Sequence, residues 1–231
     1  MANILAKAVS NLMDQLFSPS IVVGIRVWEP ATLYEIDVHL PTTDFNKWNT
    51  IKRVKCKVDN LQFRDYTPAL WNTDKKICTL FVEAGHNGAG SRWAQNLKTG
   101  DEVLLGVAHA AQLPATNGKI LCLADGSALG HCLSLKQLTN REYYPLDVAV
   151  VLDNNYQIPS SLVNDNPDFE FIANPQGDAT DVLEKWYLSK DLSSYASIYI
   201  AGYIPMVTGL RKKLKAISGI KAKIYAYGFW S

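Results

Sequence analysis

Alternating apolar and polar positions dominate the first half of the chain from Ile21 onward. Short runs rich in branched and aromatic residues are separated by Pro, Gly, Asn and Asp, which is the pattern of β-strands joined by turns. The predicted strands are Ile21–Trp28, Thr32–Leu40, Ile51–Val58, Gln62–Pro68, Lys76–Glu83 and Glu102–Val107. Short strands in such close succession indicate an antiparallel barrel or sandwich.

The pattern changes after the polar segment Pro114–Gly118, which we interpret as the connection between two domains, residues 18–113 and 119–231. Beyond it, apolar strands alternate with helical periodicity, which predicts a doubly wound, mostly parallel sheet with a ligand crevice at the carboxyl ends of its strands. Residues 154–168 are predicted to form a long irregular loop. The predicted strands are Lys119–Ala124, Asp147–Leu152, Phe169–Ala173, Ser197–Ala201 and Lys221–Ala226, and the predicted helices are Ser127–Leu138, Asp178–Leu188 and Pro205–Ile217.

An amphipathic helix is predicted over Ala2–Phe17, where apolar residues recur at helical spacing before Ser18 and Pro19. Its apolar face suits packing on its own domain, and a contact with a second copy or with a membrane is the alternative.

The composition of the chain argues against several classes of protein, among them nucleic-acid-binding and membrane-spanning proteins. With 48% apolar and 19% charged residues among 231, the chain can bury a large core, and a net charge of +1 argues against a surface built to hold nucleic acid. Its apolar runs fall short of the roughly 20 residues that span a bilayer, and its start lacks the basic and apolar regions of a signal peptide. We therefore expect a cytoplasmic protein without stable membrane insertion. The four cysteines lack metal-ligand spacing, so we expect reduced, mostly buried thiols and no metal site.

The first candidate site is the tetrapeptide Arg64-Asp65-Tyr66-Thr67 at the end of a predicted strand. On a strand, Arg64 and Tyr66 point to the same face, and Thr67 adds a hydroxyl and a backbone N–H beside them. An Arg fork suits a pyrophosphate and an aromatic ring suits a flat heterocycle. Cross-strand packing with a charge at the rim is the alternative interpretation.

The second candidate site is the glycine-rich run from Gly85 to Ala94, which leads into a predicted helix at Ser91. Small residues before a helix leave backbone N–H groups open to a phosphate, and the helix dipole favours an anion there. An ordinary turn with Ser91 as the N-cap is the alternative.

These segments together resemble the siderophore-interacting proteins of the ferredoxin reductase superfamily. The family motifs R-x-Y-T/S, G-P-A-S-x-W-A, P/T-G-D, D-E-T-A-L, G-E-A and G-Y-W-R occur there in this order. The corresponding segments here are R-D-Y-T at 64–67, G-A-G-S-R-W-A at 88–94, T-G-D at 99–101, D-G-S-A-L at 125–129, A-G-Y at 201–203 and G-F-W-S at 228–231. The family's glutamate after Gly202 is Tyr203 in this chain.

The resemblance implies an antiparallel FAD-binding barrel in the first domain. By that resemblance Arg64 would contact the FAD pyrophosphate, Tyr66 would pack on the flavin or ribityl chain, and Thr67, the catalytic candidate, would hydrogen-bond near flavin N5. The start of the helix would hold the phosphates. The residues implied there are Gly88, Gly90 and Ser91, with Trp93 packing behind them.

The same resemblance implies an NAD(P)H-binding second domain. The nucleotide would be bordered by Asp125, Ser127 and Gly202. Phe229 or Trp230 would cover the flavin ring, and the alternative for this aromatic tail is that it is tucked into the core between the two domains.

Basic residues suggest where an anionic acceptor could bind. Arg53, Lys55 and Lys57 share one face of a predicted strand, while Val54, Cys56 and Val58 share the other. We refer to Arg53, Lys55 and Lys57 as the basic stripe. A second basic cluster follows at Arg211–Lys215. Both clusters are also typical of solvated faces.

The predicted function is therefore an FAD-dependent oxidoreductase that passes electrons from NAD(P)H to a ferric siderophore or another ferric chelate and so releases iron. The alternatives are a flavin reductase with a different electron acceptor and a non-catalytic flavin- or nucleotide-binding module. The scattered histidines and carboxylates form no pattern typical of a hydrolase.

Overall fold

The computed structural model describes residues 17–60, 62–106, 109–175 and 177–230. The helix predicted over 2–17 therefore lies outside the described residues, apart from Phe17. The chain forms two compact units. Unit 1 contains the described residues up to Val27 together with Thr32–Ala111, and unit 2 contains Trp28–Ala31 together with the chain from Gln112 onward.

Unit 1 is built on an eight-stranded sheet in the order β4-β3-β7-β1-β2-β6-β5, with β8 also pairing with β3. The register shows antiparallel pairs, among them β2 with β6 and β3 with β4. Helix α1 spans Ala89–Asn96 and packs near β3, β4 and β6. The strands are β1 Ser18–Trp28, β2 Leu33–His39, β3 Ile51–Asp59, β4 Gln62–Tyr66, β5 Pro68–Asn72, β6 Ile77–Glu83, β7 Glu102–Leu105 and β8 His109–Ala111.

The alternation along β3 explains how this sheet closes over a core. Val54, Cys56 and Val58 are buried, whereas Lys55 and Lys57 remain half-exposed on the opposite face. The buried residues of β3 join those of β2 and β6 in one apolar cluster that includes Ile36 and Leu80. Burial of this face fixes the strand register, because a shift by one residue would bring lysines into the core.

Unit 2 has a five-stranded sheet in the order β11-β10-β9-β12-β13, and every pair along it is parallel. The predicted doubly wound sheet is thus present. Its elements in chain order are β9 Lys119–Asp125, α2 Leu129–Leu138, β10 Leu146–Leu152, α3 Ser160–Asp165, β11 Phe169–Ala173, α4 Ala179–Leu188, β12 Tyr195–Tyr203, α5 Ile204–Ala216 and β13 Lys223–Trp230. Short 3-10 turns lie at Phe45–Lys47, Gly126–Ala128 and Leu192–Ser194.

The structure differs from the sequence prediction in several elements. The strand predicted over Gln62–Pro68 ends at Tyr66, and a new strand starts at Pro68. The loop predicted over 154–168 contains helix α3. The last strand runs to Trp230 and not to Ala226, so the aromatic tail is an edge strand of the sheet.

The connection between the units is held by unit 2. The Tyr199 hydroxyl donates to the carbonyl of Gln112 at 3.0 Å, and the Gln112 N–H donates to the Tyr227 hydroxyl at 3.1 Å. The Ala115 N–H donates to the Tyr225 hydroxyl at 3.1 Å. Gln112 and Ala115 are therefore fixed to β12 and β13.

Unit 2 also includes a short piece of chain from between β1 and β2. Trp28 is buried in unit 2, where its ring meets that of Tyr156 edge-on at 5.8 Å. The Gln157 N–H donates to the carbonyl of Glu29 at 2.7 Å. Unit 2 is thus assembled from two separate stretches of sequence.

Candidate functional site

The end of β4 brings Arg64 and Tyr66 to the start of α1. Pairing with β3 sets Tyr66 opposite Val54 and Arg64 opposite Cys56, so both side chains lie on the same face of the sheet. A Cβ added to Gly90 would lie 2.6 Å from the Tyr66 hydroxyl and 3.3 Å from Cγ of Arg64. The strand end and the helix start, which the sequence analysis treated as two motifs, therefore form one site.

The first turn of α1 has open backbone donors. Gly88 is the N-cap, and the N–H of Arg92 donates to its carbonyl at 3.1 Å. The N–H groups of Ala89, Gly90 and Ser91 precede this bond and so have no carbonyl within the helix to bind. The alternative in which Ser91 is the N-cap is wrong, because Ser91 is the third residue of the helix.

Tyr66 is held between this helix and the core of unit 1. Its ring stacks on that of Trp93 with centroids 5.7 Å apart and planes inclined by 15°. Burial raises the pKa of the Tyr66 phenol well above its ordinary value. The phenol therefore stays protonated near neutral pH and can donate a hydrogen bond, while Trp93 supports the ring from behind.

Arg64, Thr67 and Ser91 differ in accessibility. Arg64 is exposed, and its Nη1 donates to the carbonyl of Phe63 at 2.8 Å. Thr67, between β4 and β5, and Ser91 are both buried, with 8% and 5% of their surfaces exposed. Arg64 thus offers an accessible positive charge near the start of α1, and the two hydroxyls lie deeper.

The basic stripe has the predicted alternation on β3, and Lys55 forms an ion pair with the adjacent strand. Lys55 Nζ lies 2.7 Å from Asp65 Oδ1 on the adjacent strand β4, and both side chains are about one-third exposed. An ion pair at this level of exposure contributes little stability. Asp65 therefore partly neutralises the stripe next to Arg64.

A second cluster of predicted residues meets at the carboxyl ends of β9, β12 and β13 in unit 2. The Ser127 hydroxyl donates to Asp125 Oδ1 at 2.5 Å, and the Tyr203 N–H donates to Asp125 Oδ2 at 2.6 Å. Trp230 Nε1 donates to the Ser127 hydroxyl at 3.0 Å. Burial raises the pKa of Asp125, although the hydrogen bonds from Ser127 and Tyr203 act in the opposite direction.

Two residues of this region were outside the predicted site. Tyr203, noted only as a departure from the family motif, packs on Trp230 with ring centroids 4.4 Å apart. His131 of α2 is buried beside Tyr227 and Phe229, with centroid distances of 5.0 and 5.7 Å. Phe229 thus packs within unit 2, and a role as a cover for the flavin stays a prediction.

The described part of the chain includes no helix that is both long and apolar enough to cross a membrane. All four cysteines are buried free thiols, as predicted.

Comparison with known proteins rests on structure. No protein-family model matches the chain, and no curated protein sequence matches it significantly. A siderophore-interacting protein from Acinetobacter baumannii superposes with a TM-score of 0.71 at 14% identity, covering 92% of this chain and 89% of that one. The siderophore-interacting protein SipS from Aeromonas hydrophila gives a TM-score of 0.71 at 13% identity, with 93% and 91% covered.

A ferredoxin NADP+ reductase from Neisseria gonorrhoeae, solved with bound FAD and NADP, gives a TM-score of 0.68 at 16% identity, covering 92% of this chain and 98% of that one. Identities this low establish a common fold alone. The predicted fold class is confirmed: this chain has the ferredoxin reductase-like fold, an antiparallel barrel-type sheet followed by a parallel doubly wound sheet, and siderophore-interacting proteins are among its structural neighbours.

Proposed function

We propose that the protein is an NAD(P)H-dependent flavoprotein oxidoreductase that binds FAD on unit 1 and the pyridine nucleotide on unit 2. The observation that carries this proposal is the convergence of Arg64 and Tyr66 on the open start of α1. Residues that are separated in the sequence bring together a guanidinium, an aromatic ring and three backbone N–H groups that have no carbonyl partner within the helix. The ferredoxin NADP+ reductase with the same fold, solved with FAD and NADP, supports this choice of cofactors.

The residues of unit 1 fit an anionic cofactor that also has a flat ring. The N–H groups of Ala89, Gly90 and Ser91 and the Arg64 guanidinium would hold the pyrophosphate, because the helix dipole and the guanidinium both favour negative charge. Tyr66, protonated and backed by Trp93, would orient the ring system. Thr67 would provide a hydrogen bond close to the reacting edge of the flavin.

The residues of unit 2 lie where a doubly wound sheet binds its ligand. The strand order reverses between β9 and β12, and Asp125 and Gly202 are at the carboxyl ends of these two strands. The crevice at such a switch point is the usual ligand site of this architecture. Asp125, Ser127 and Gly202 would therefore border NAD(P)H.

For the electron acceptor we propose a ferric siderophore or another ferric chelate. Bound FAD supplies the conversion of two-electron transfer from NAD(P)H into single-electron transfer to ferric iron. The basic stripe would attract an anionic chelate to unit 1. Reduction lowers the charge on iron and weakens its hold by hard oxygen ligands, so release follows.

The first test is the absorbance spectrum of the purified protein and its titration with FAD. We expect flavin bands, or FAD uptake with saturation, and loss of affinity in Arg64→Ala. Arg211→Ala, an exposed arginine of unit 2, is the matched control and should bind FAD like the wild type. A protein that neither contains nor takes up FAD would refute the proposed function.

The second test compares acceptors. With FAD bound, NAD(P)H oxidation should be faster with a ferric chelate than with ferricyanide or free flavin at equal concentration. A preference for free flavin would favour the flavin-reductase alternative, and the absence of NAD(P)H oxidation with every acceptor would favour the non-catalytic binding module.

A further inference from the structure

The Asp125 carboxylate is at the point in unit 2 where a ligand is expected, yet it is bound by the protein itself. It lies at the end of β9, beside the end of β12, and only 9% of the residue is exposed. It accepts hydrogen bonds from the Ser127 hydroxyl and the Tyr203 N–H. Donors that could have bound a phosphate at this switch point therefore bind a carboxylate of the chain.

Gly202 shows that the surrounding backbone is fitted to this carboxylate. Its φ of +131° lies in the region that favours glycine, and a Cβ at this position would come within 2.4 Å of the carboxylate atoms of Asp125. Any other residue here would strain the backbone and displace Asp125. The carboxylate and the end of β12 thus depend on each other.

Ser127 transmits this arrangement to the last strand. A serine hydroxyl has a single proton, and here it is donated to Asp125 Oδ1. The lone pairs of the oxygen are then directed elsewhere, and one of them accepts the N–H of Trp230 at 3.0 Å. Because the Ser127 proton is donated to Asp125, the Ser127 oxygen can only accept a hydrogen bond from the indole N–H of Trp230.

A bulge aligns Trp230 with Tyr203. The register between β12 and β13 shifts between Gly202 and Tyr203, so that Tyr203 pairs with Trp230 and not with Phe229. The two rings then lie 4.4 Å apart, and 38% of Trp230 is exposed. The result is an aromatic surface at the carboxyl edge of the sheet, which we name the aromatic platform (Tyr203 and Trp230).

We propose that Asp125 is a positioning residue which, through Ser127, holds the Trp230 indole against Tyr203, and that the aromatic platform stacks a flat heteroaromatic ring of the pyridine nucleotide. The choice of a pyridine nucleotide as the ligand rests on the proposed function, whereas the positioning of Trp230 by Asp125 and Ser127 does not. Stacking is favoured over phosphate binding at this edge because the Ser127 hydroxyl proton and the Tyr203 N–H, which could have bound a phosphate, are already donated to Asp125. A cationic nicotinamide ring would gain further from the face of an indole.

The positioning is tested by 19F NMR on the full-length protein labelled with 5-fluorotryptophan. The chain has six tryptophans, and Trp230→Phe identifies the resonance of Trp230. Asp125→Asn and Ser127→Ala should shift this resonance and leave the other tryptophan resonances in place, which also shows that the fold is intact. Ser127→Thr keeps the hydroxyl and should restore the wild-type position.

Ser134→Ala is the matched control, since Ser134 is a buried serine of α2 in the same unit. It should leave the Trp230 resonance unchanged. If Asp125→Asn prevents folding, the pair Ser127→Ala and Ser127→Thr decides the question alone. A Trp230 resonance that is identical in wild type and Ser127→Ala overturns the positioning.

The ligand is tested with mononucleotides on the same labelled protein. Nicotinamide mononucleotide and AMP are titrated separately, and the one that shifts the Trp230 resonance identifies which ring stacks on the platform. In Ser127→Ala its dissociation constant should rise roughly threefold to tenfold, as expected for the loss of one hydrogen bond that positions the ring. If neither mononucleotide affects Trp230, the platform is not a nucleotide site.

Kinetics separate this result from the proposed function. In Ser127→Ala the KM for NAD(P)H should rise by a similar factor while kcat changes less, because binding is lost and the chemistry is retained. A protein without NAD(P)H oxidation would refute the proposed function, and the 19F shifts would still decide the positioning. An unchanged KM in an active protein would overturn the platform as the nucleotide site.

Discussion

Replacing Gly90 by Ala tests whether Tyr66 and the start of α1 are fitted to each other. The new Cβ would lie 2.6 Å from the Tyr66 hydroxyl oxygen, well inside van der Waals contact. Tyr66 cannot move aside freely, because its ring is stacked on Trp93 and packs against the core of unit 1. Overpacking of this kind costs about 1–3 kcal/mol in unfolding free energy.

Two effects set the net magnitude. Ala is a better helix former than Gly by up to about 1 kcal/mol, which partly offsets the steric cost. We therefore expect Gly90→Ala to lower the free energy of unfolding by about 0.5–2 kcal/mol. In Tyr66→Phe the hydroxyl is absent, and the next atom of that ring, Cζ, is at an ordinary contact distance of 3.9 Å. The approach to Arg64 Cγ at 3.3 Å remains, and this side chain is exposed and can shift, so Gly90→Ala should then be close to neutral.

The measurement is a double-mutant cycle of urea unfolding followed by circular dichroism. The coupling between Gly90→Ala and Tyr66→Phe should be about 1–2 kcal/mol, in the range seen for residues in contact. Gly88→Ala is the matched control, since its Cβ would meet only Ser91 Oγ at 3.9 Å and should show no coupling to Tyr66→Phe. Full stability of Gly90→Ala in the wild-type background, or additivity within error, would refute the fit.

Three further predictions concern charge. Arg64→Ala should weaken FAD binding by about 1.5–3 kcal/mol and more than Arg64→Lys, because Lys keeps the charge and loses the fork; equal affinities by titration would remove Arg64 from the site. Replacing all three residues of the basic stripe by Gln should slow the reduction of an anionic ferric chelate at low salt and weaken the dependence of the rate on ionic strength, while the FAD content is unchanged. Wild-type rates in this variant would mean that the stripe is only a solvated face. Asp37→Asn should destabilise the protein by about 1 kcal/mol at pH 7, because burial raises the pKa of Asp37 but the hydrogen bonds and charge of Arg26 and the hydrogen bond of Thr79 together outweigh it and lower the pKa overall. A group with a depressed pKa loses its stabilising effect as the pH falls below the unfolded value near 3.9, so urea unfolding should show the difference shrinking toward pH 3, and a constant difference would contradict this.

Local patterns were sufficient to predict most elements of the fold. The alternation along β3 and the alternation of strands with helices in unit 2 are consequences of burial on one or both faces, and such burial leaves its mark in the sequence. Elements set by backbone conformation were missed. Leu70 adopts a positive φ of 50° within β5, and the register with β6 shifts between Ala69 and Asn72, so no regular alternation marks this strand.

The candidate site was predictable as two motifs but not as one arrangement. Arg64 and Tyr66 share a face because of strand periodicity, which the sequence shows directly. Their approach to Gly90 depends on how α1 packs over the sheet, and no local pattern encodes that distance. The bulge after Gly202 is likewise not encoded in a local sequence pattern. It changes the partner of Tyr203 from Phe229 to Trp230.

The burial of Trp28 in unit 2 has a consequence for how the protein can be divided and how it forms during synthesis. A fragment that starts at Gln112 contains the whole parallel sheet but lacks Trp28, so the side of Tyr156 that Trp28 covers would be exposed to water. On the ribosome, Trp28 emerges long before Tyr156. Unit 2 can complete its core only when the chain that contains Tyr156 has been made and packs against Trp28. Folding of the second unit is therefore coupled along the chain to a segment that is synthesised well before it.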